Sequence, residues 1–255
     1  MNFDILWQFL IVALVCYIVG NFNVARYFSR INKKDITKQG SGNPGAMNML
    51  RNYGFKLGAI TLLLDVLKGA VPVLAAYFIF RYRAKPADLD LDYGLIAMFV
   101  AAITVVLGHV YPVIQRFKGG KGVSCTLGVY FTITSVIGFW YVGLIVFALG
   151  ALYIILFEWG SIGSLIMTTL LPAFTIIYFV LILKCKMSGY LIFIICVNIV
   201  LCLLSYWKHR SNLKKLSMGK ESRTSIKKVF SIDRKQKKET QNASEENDTE
   251  NKDVS

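Results

Sequence analysis

Long runs of apolar residues, separated by short polar segments, dominate the pattern along the chain. Five stretches contain no Asp, Glu, Lys or Arg and are 21, 23, 36, 25 and 21 residues long: 5–25, 93–115, 122–157, 159–183 and 187–207. The hydrocarbon core of a bilayer is about 30 Å thick, and roughly 20 apolar helical residues cross it. Each stretch can therefore span a membrane, and the pattern predicts an all-α polytopic membrane protein.

We predict about seven transmembrane helices. The stretch 122–157 is too long for one span and fits two short ones, with a turn at 135–138. A further span at 57–80 is apolar except for Asp65 and Lys68. The remaining predicted spans cover residues 5–22, 94–114, 159–183 and 189–207.

The distribution of Lys and Arg among the connecting segments predicts the orientation. Cytoplasmic segments of membrane proteins are enriched in these residues. Segment 26–56 holds seven of them and one acid, and loop 116–121 holds three. We therefore expect the N-terminus outside, the C-terminus in the cytoplasm and both basic segments on the cytoplasmic face of the cell membrane.

Composition agrees with this class, because 55% of the residues are hydrophobic and only 17% are charged, against about 25% in average globular chains. The net charge of +14 lies largely near the end, where 208–238 has twelve Lys or Arg and two acids. A basic block beside the last span is typical of contact with anionic lipid headgroups rather than nucleic acid. We predict a transmembrane domain at 1–221 and a basic-then-acidic disordered cytoplasmic tail at 222–255.

The first polar segment with unusual chemistry is GSGNPGAMNMLR at 40–51. Gly40, Gly42 and Gly45 have G-x-G-x-x-G spacing, but a membrane span and a basic loop precede them instead of a strand, so a dinucleotide site is not indicated. The segment instead fits a turn of small residues at the start of a helix, where backbone N–H groups bind anions. Four side chains there can donate hydrogen bonds: Ser41, Asn43, Asn48 and Arg51. The alternative is a plain glycine turn, with Ser41 or Asn43 as the N-cap.

The second polar segment follows the third span and contains His109 and, at 116–123, RFKGGKGV. Glycines between lysines allow successive N–H groups to converge on an anion beside ammonium groups. The segment is not a Walker A loop, because Gln115 stands where Gly is needed and no Ser or Thr follows Lys121. It indicates a phosphate but not ATP. The alternative is a basic cytoplasmic loop without further function.

The third polar segment follows the last span. His209 and Asn212 are three residues apart and share one face of a helix, and Glu221 comes after them. The alternative is a basic amphipathic helix that lies on anionic lipid. In the second span, Asp65 and Lys68 are also three residues apart, which fits either a structural ion pair or part of a site.

Together these segments resemble the bacterial acyl-phosphate:glycerol-3-phosphate acyltransferases. The resemblance covers residues 1–221 and rests on GSGNPGAMNMLR (40–51), DVLKG (65–69), GHVYP with FKGGKGV (108–123), and HRSNLKKL with GKE (209–221). Three positions depart from the family pattern. Met47 stands where Thr is usual, Pro44 replaces a commonly aliphatic residue, and Ser211 stands where an acid is common.

The resemblance implies acyl transfer from a fatty acyl phosphate to the 1-hydroxyl of sn-glycerol 3-phosphate, the first step of phospholipid synthesis. The products are 1-acyl-sn-glycerol 3-phosphate and inorganic phosphate, and neither coenzyme A, a metal nor another cofactor is implied. By analogy, Ser41 and Arg51 bind glycerol phosphate, and Lys121 holds phosphate and screens charge on the leaving group. His209 and Asn212 orient the attacking hydroxyl or its phosphate. The enzyme is expected to be a monomer.

The resemblance also implies supporting residues. The expected substrate-binding set is Gly42, Asn43, Asn48, His109, Lys118, Gly119, Gly120 and Gly122, and the expected structural set is Asp65, Lys68 and Glu221. His109, His209 or a phosphate oxygen of the substrate could accept the hydroxyl proton. Ser41 is expected to bind substrate rather than to carry the acyl group, since no His/Asp pair accompanies it.

Two other classes fit parts of the pattern. A transporter for an organic phosphate or another anion also needs many spans and a cationic site, but transporters typically hold substrate near mid-bilayer between repeated halves. A structural or lipid-binding membrane protein would not need three small-residue polar loops. The clustering of these loops on one expected face favours the enzyme.

Overall fold

The computed structural model describes residues 3–83, 92–225, 229–232 and 234. Within these residues the protein is α-helical and has no β-strand, as the sequence predicts. The helices of the bundle are α1 Phe3–Asn21, α2 Val24–Ile31, α3 Ala46–Phe80, α4 Tyr93–Val110, α5 Val123–Val136, α6 Trp140–Phe157, α7 Gly160–Ile177 and α8 Gly189–Ser217. Short 3-10 turns lie at Ile36–Lys38 and Val113–Gln115, and a π-helical turn at Tyr178–Ile182 extends α7.

The prediction of a multi-pass membrane protein is confirmed. In the described part of the chain, six helical segments are long and apolar enough to cross a membrane. The predicted turn at 135–138 is also confirmed, because α5 ends at Val136 and α6 begins at Trp140. The 14 residues of α5 give a helix only about 21 Å long. The count of seven spans and the orientation of the termini stay predictions.

Two helices extend further than the apolar pattern predicts. The expected loop 26–56 contains α2 and the start of α3, which begins eleven residues before the expected span. Gly54 interrupts α3 with φ 85°, a conformation that glycine adopts without steric cost. The last helix, α8, continues ten residues past the expected end at 207, because nothing in the basic segment breaks it before Gly219 (φ 68°).

The core of the bundle surrounds α4, whose side chains are mostly buried. Helices α1, α3, α5 and α8 pack against it. By contrast, α1 and α6 expose rows of large apolar side chains, among them Leu10, Leu14, Leu144 and Ile145. A membrane protein presents such surfaces to lipid rather than to water.

Glycines allow two helix pairs to pack with their backbones in contact. Between α3 and α5, a Cβ on Gly128 would lie 1.9 Å from the carbonyl oxygen of Val66, and a Cβ on Gly69 would lie 2.1 Å from that of Cys125. Gly20 and Gly108 meet in the same way between α1 and α4. Small residues at helix interfaces are a general device of membrane bundles, where close packing replaces the hydrophobic driving force.

We expect Gly128→Ala to destabilise the bundle by about 1–3 kcal/mol, because the new methyl group forces α3 and α5 apart. The measurement is thermal unfolding in detergent. Gly189→Ala is the control, since a Cβ at Gly189 meets nothing within 4 Å in the described structure. Equal unfolding temperatures for the two variants would contradict the close contact.

Candidate active site

Two adjoining cavities lie at one end of the bundle. The first, which we call the apolar chamber, has a volume of about 520 Å³. Its apolar lining consists chiefly of Leu50, Phe55, Ala59, Leu62, Leu127, Phe147, Ala151, Ile154, Ile155, Met167, Val229 and Phe230. The second, which we call the basic basin, has a volume of about 760 Å³. Among the described residues, one carboxylate (Glu221) and nine cationic side chains line it: Arg26, Arg30, Arg51, Arg116, Lys118, Lys121, Lys208, Arg210 and Lys215.

The two cavities meet at six residues that line both of them: Ser41, Asn43, Arg51, Lys121, Asn212 and Glu221. We call this set the junction. All six come from the three polar segments singled out in the sequence, which are up to 180 residues apart. An apolar volume therefore opens directly onto a concentration of positive charge, an arrangement suited to a ligand with an acyl chain and an anionic head.

Helix ends bring the polar segments together. The first segment lies before and within the start of α3, the second lies between the end of α4 and the start of α5, and the third lies at the end of α8. Of the other predicted residues, Asn48, Asp65, His109, Gly122 and His209 line the apolar chamber, and Gly42, Lys118 and Gly119 line the basic basin. Gly120 and Lys68 line neither cavity.

A chain of hydrogen bonds orders one side of the junction. Lys121 Nζ donates to Asn212 Oδ1 over 2.7 Å, and Asn212 Nδ2 donates to Glu221 Oε1 over 3.1 Å. Ser161 Oγ, in the first turn of α7, donates to Glu221 Oε2 over 2.8 Å. Both oxygens of the buried carboxylate are thus engaged, which fixes Asn212 and through it the Lys121 ammonium. Sequence reasoning missed Ser161, although its position at the start of a span, after Gly160, was a usable signal.

Arg51 is held on the other side by a residue that the sequence also failed to indicate. Its Nε donates to Thr224 Oγ1 over 2.8 Å, and its Nη2 donates to the same oxygen. Thr224 falls in the predicted disordered tail, but it is buried, and its N–H donates to Glu158 O over 2.8 Å. Residues 222–225 at the start of the predicted tail are therefore packed on the domain, contrary to that expectation, whereas residues 226–228, 233 and 235–255 lie outside the described residues.

The first glycine loop is ordered by Asn48. Its Nδ2 donates to the Gln39 carbonyl over 2.9 Å, and its Oδ1 accepts from the Ser41 N–H over 3.1 Å. Asn48 thus holds the loop that carries Ser41, and its expected contact with a substrate stays a prediction. The N-cap of α3 is Gly45, without a side-chain cap, so the interpretation of Ser41 or Asn43 as N-cap is wrong.

A buried charge cluster supports the second loop from below. Lys68 Nζ makes three contacts of 2.8 Å, with Asp65 Oδ1, His109 Nδ1 and the Phe22 carbonyl, and so ties α3 to α4 and to the end of α1. An ammonium group only donates, so His109 Nδ1 accepts and the ring is neutral with its proton on Nε2. The structural role expected for Asp65 and Lys68 agrees with these contacts.

His109 Nε2 in turn lies against the second glycine loop. A Cβ on Gly120 would lie 2.4 Å from this nitrogen, and a Cβ on Gly119 would lie 2.1 Å from the His109 carbonyl oxygen. These glycines are therefore needed for close packing on the end of α4. Because both ring nitrogens of His109 face protein groups, the geometry favours a supporting role over that of a base.

His209 is placed differently. The ring is buried at the wall of the apolar chamber, and its Nδ1 lies 2.8 Å from the Ser205 carbonyl. A carbonyl only accepts hydrogen bonds, so Nδ1 carries the proton, and Nε2 of the neutral ring is an acceptor. Of the two histidines, His209 is therefore the one with proton-accepting capacity at the cavity.

The electrostatics of the junction favour a bound anion. Burial lowers the pKa of the Lys121 ammonium from 10.5 to about 8; Glu221 opposes this shift, and the nearby Arg51, Lys215 and Lys208 add to it. An anion bound beside these cations would offset the cost of their desolvation and would reduce their mutual repulsion. Within the described part of the chain, no group of three or more His, Cys, Asp or Glu side chains could hold a metal ion.

Fold and site together define a multi-pass membrane protein whose cavity combines an apolar chamber with an anion-binding basin. A sequence model of the glycerol-3-phosphate acyltransferase family matches residues 10–219. The chain belongs to this family and is an acyltransferase, which confirms the resemblance recognised in the motifs. Membership in an enzyme family also favours acyl transfer over the alternative of an anion transporter.

Individual relatives support the assignment along nearly the whole bundle. The glycerol-3-phosphate acyltransferase of Thermoanaerobacter sp. (strain X514) is 34% identical over 214 residues, which are 84% of this chain and 94% of that protein. The one from Pelagibacter ubique (strain HTCC1062) is 34% identical over 220 residues, 86% of this chain and 99% of the relative. A crystal structure of PlsY, an integral membrane glycerol 3-phosphate acyltransferase in its glycerol 3-phosphate form, superposes with a TM-score of 0.70 at 29% identity, covering 88% of this chain and 98% of that one.

The depressed pKa of Lys121 predicts a pH dependence. Its protonated fraction falls as the pH rises through about 8, so kcat/KM for the acyl donor should fall about ten-fold per pH unit above that value. The substrate phosphate, with a second pKa of about 6, is already a dianion there. In Lys121→Arg the fall should move to higher pH, because guanidinium stays charged. An alkaline limb that is the same in both proteins would exclude Lys121 as its origin.

Proposed function

We propose that this chain transfers a fatty acyl group from an acyl phosphate to the 1-hydroxyl of sn-glycerol 3-phosphate. The products are 1-acyl-sn-glycerol 3-phosphate and inorganic phosphate. The observation that carries the proposal is the junction, where a chamber lined by apolar side chains opens onto a basin that nine cationic side chains of the described residues line. Both proposed substrates carry phosphate, and one also carries an acyl chain.

The cations differ in the phosphate chemistry that they offer. The planar Arg51 guanidinium can bind a phosphate through two parallel hydrogen bonds, while Lys121 is a compact charge. We assign Arg51, with Ser41, to the phosphate of glycerol 3-phosphate, and Lys121 to the phosphate of the acyl donor. Charge that develops on the leaving phosphate is then stabilised by an ammonium group whose orientation Asn212 already fixes.

The reaction at the junction needs little from the protein beyond placement. The hydroxyl oxygen of glycerol 3-phosphate forms a bond to the acyl carbon, and the bond from that carbon to the phosphate oxygen breaks. The hydroxyl proton passes to His209 Nε2 or to a phosphate oxygen of the bound substrates. Phosphate is a good leaving group, so positioning and electrostatic stabilisation supply most of the acceleration.

A relative supports the choice of acceptor and product. PlsY, at 29% identity, has been crystallised in a glycerol 3-phosphate form and in a lysophosphatidic acid form, and the second superposes on this chain with a TM-score of 0.68. We infer the same acceptor and product for this chain. The basic loops around the basin further support a site on the cytoplasmic face of the cell membrane.

The donor is tested with the purified protein in detergent. With acyl phosphate and glycerol 3-phosphate we expect one phosphate released for each 1-acylglycerol 3-phosphate formed, and no product when acyl-CoA or acyl-carrier-protein thioester replaces acyl phosphate. Lys121→Met serves as the low-activity control for background hydrolysis. Turnover with a thioester alone would overturn the proposed donor and leave the acyltransferase assignment intact.

The role of Arg51 is tested by Arg51→Lys. We expect the KM for glycerol 3-phosphate to rise at least about ten-fold, because an ammonium group cannot form the paired hydrogen bonds of a guanidinium. Arg30→Lys is a matched control. It makes the same chemical change at an exposed residue that lines the same basin. Equal KM values in the two variants would remove Arg51 from the acceptor site.

A further inference from the structure

The segment that follows the family-matched part of the chain reaches into the site. The match ends at residue 219, yet Thr224 is 2% exposed and Val229 is 5% exposed. Phe230 stacks on Phe55 of α3, with ring centroids 5.9 Å apart and planes at 21°. Both Val229 and Phe230 line the apolar chamber. These contacts fix the described residues of this segment on the domain beside the junction.

The hydroxyl of Thr224 has a defined orientation. Its oxygen accepts from Nε and Nη2 of Arg51, and its proton is directed at Met47 Sδ, 3.7 Å away. The lone pairs of the oxygen therefore face the guanidinium, and the Thr224 N–H, bonded to the Glu158 carbonyl, anchors the backbone. Gly160 completes the contact, since a Cβ there would lie 3.0 Å from Arg51 Nη2 and 3.5 Å from Thr224 Oγ1.

This contact occupies one edge of the guanidinium and leaves the other for a ligand. A guanidinium has five N–H donors in a planar fork, and Thr224 takes one from Nε and one from Nη2. The opposite edge, made by Nη1 and the second N–H of Nη2, is the one that can pair with two phosphate oxygens at the junction. Long side chains lose much rotamer freedom when they bind, so an Arg oriented in advance binds a phosphate more tightly.

We propose that Thr224 is a positioning residue for the acceptor site, which holds Arg51 in the orientation that binds the phosphate of glycerol 3-phosphate. This inference rests on the proposed assignment of Arg51 to that phosphate. It gives the C-terminal segment, which lies beyond the matched family region, a part in substrate recognition. The proposal places the effect of Thr224 in acceptor binding and not in the chemical step.

The test is steady-state kinetics of Thr224→Val, a variant of similar shape without the hydroxyl, using whichever acyl donor supports turnover. We expect the KM for glycerol 3-phosphate to rise about five- to ten-fold, with kcat changed by less than about two-fold. Thr224→Ser should restore the KM. Ser225→Ala removes a hydroxyl from the next residue. Ser225 lines neither cavity, so this variant should behave as the parent protein. Should Thr224→Val fail to fold, Thr224→Ala provides the same comparison.

A double-mutant cycle shows whether Thr224 acts through Arg51. In the Arg51→Lys background, Thr224→Val should raise the KM by less than about two-fold, because Lys lacks the edge that Thr224 holds. An equal rise in both backgrounds would overturn the proposal, as would an unchanged or lowered KM in Thr224→Val alone. If Arg51→Lys itself leaves the KM unchanged, the assignment of Arg51 fails; if only Thr224→Val leaves it unchanged, the positioning role fails alone.

Discussion

Repulsion between like charges is the constraint on which the polar end of this protein depends. Among the described residues, nine Lys or Arg side chains and one carboxylate, Glu221, line the basic basin. Repulsion alone would move these side chains away from one another and into solvent. The hydrogen bonds from Ser161 through Glu221 and Asn212 to Lys121, and from Arg51 to Thr224, keep the two junction cations close instead. The folded protein thus maintains an excess of positive charge that a phosphate ligand neutralises.

The helix packing is what makes this arrangement possible. Backbone contacts at Gly69 and Gly128 bring α3 and α5 together, and Lys68 ties α3 to α4 and α1 just beneath the second glycine loop. Because Gly119 and Gly120 pack on His109, the loop that carries Lys121 is fixed to the end of α4. The apolar chamber is lined by α3 and α5 together with α6 and α7, so the same helix packing would hold a lipid-like tail next to an anionic head.

Much of this could be predicted from the sequence, because hydropathy and loop chemistry are local. Uninterrupted apolar runs predicted the helices and the turn before Trp140, and the glycine-rich basic loops predicted an anion site. Contacts between distant residues leave no such local trace. Thr224 lies in a stretch whose composition is typical of disorder, yet its hydroxyl contacts Met47, the position where the expected hydroxyl was missing from the motif. Asn48 orders the loop of Ser41, and Gly120 packs on His109. The sequence does not reveal such contacts, because it does not distinguish residues that bind a ligand from residues that hold the loop. The expected contacts of Asn48 and Gly120 with a substrate stay predictions.

The shortness of α5 affects how deep the residues at its start lie in the membrane. Trp140 and Tyr141, both exposed, follow the turn at its far end, and such aromatic residues sit at the boundary between hydrocarbon and headgroups. The hydrocarbon layer is about 30 Å thick, and α5 is about 21 Å long. A helix of this length that starts at one boundary ends about 9 Å before the opposite boundary. Lys121, just before α5, would then lie several ångströms inside the second boundary, beside the upper part of the neighbouring lipid tails. An acyl carbonyl could meet its acceptor there while the rest of its chain stays immersed among those tails.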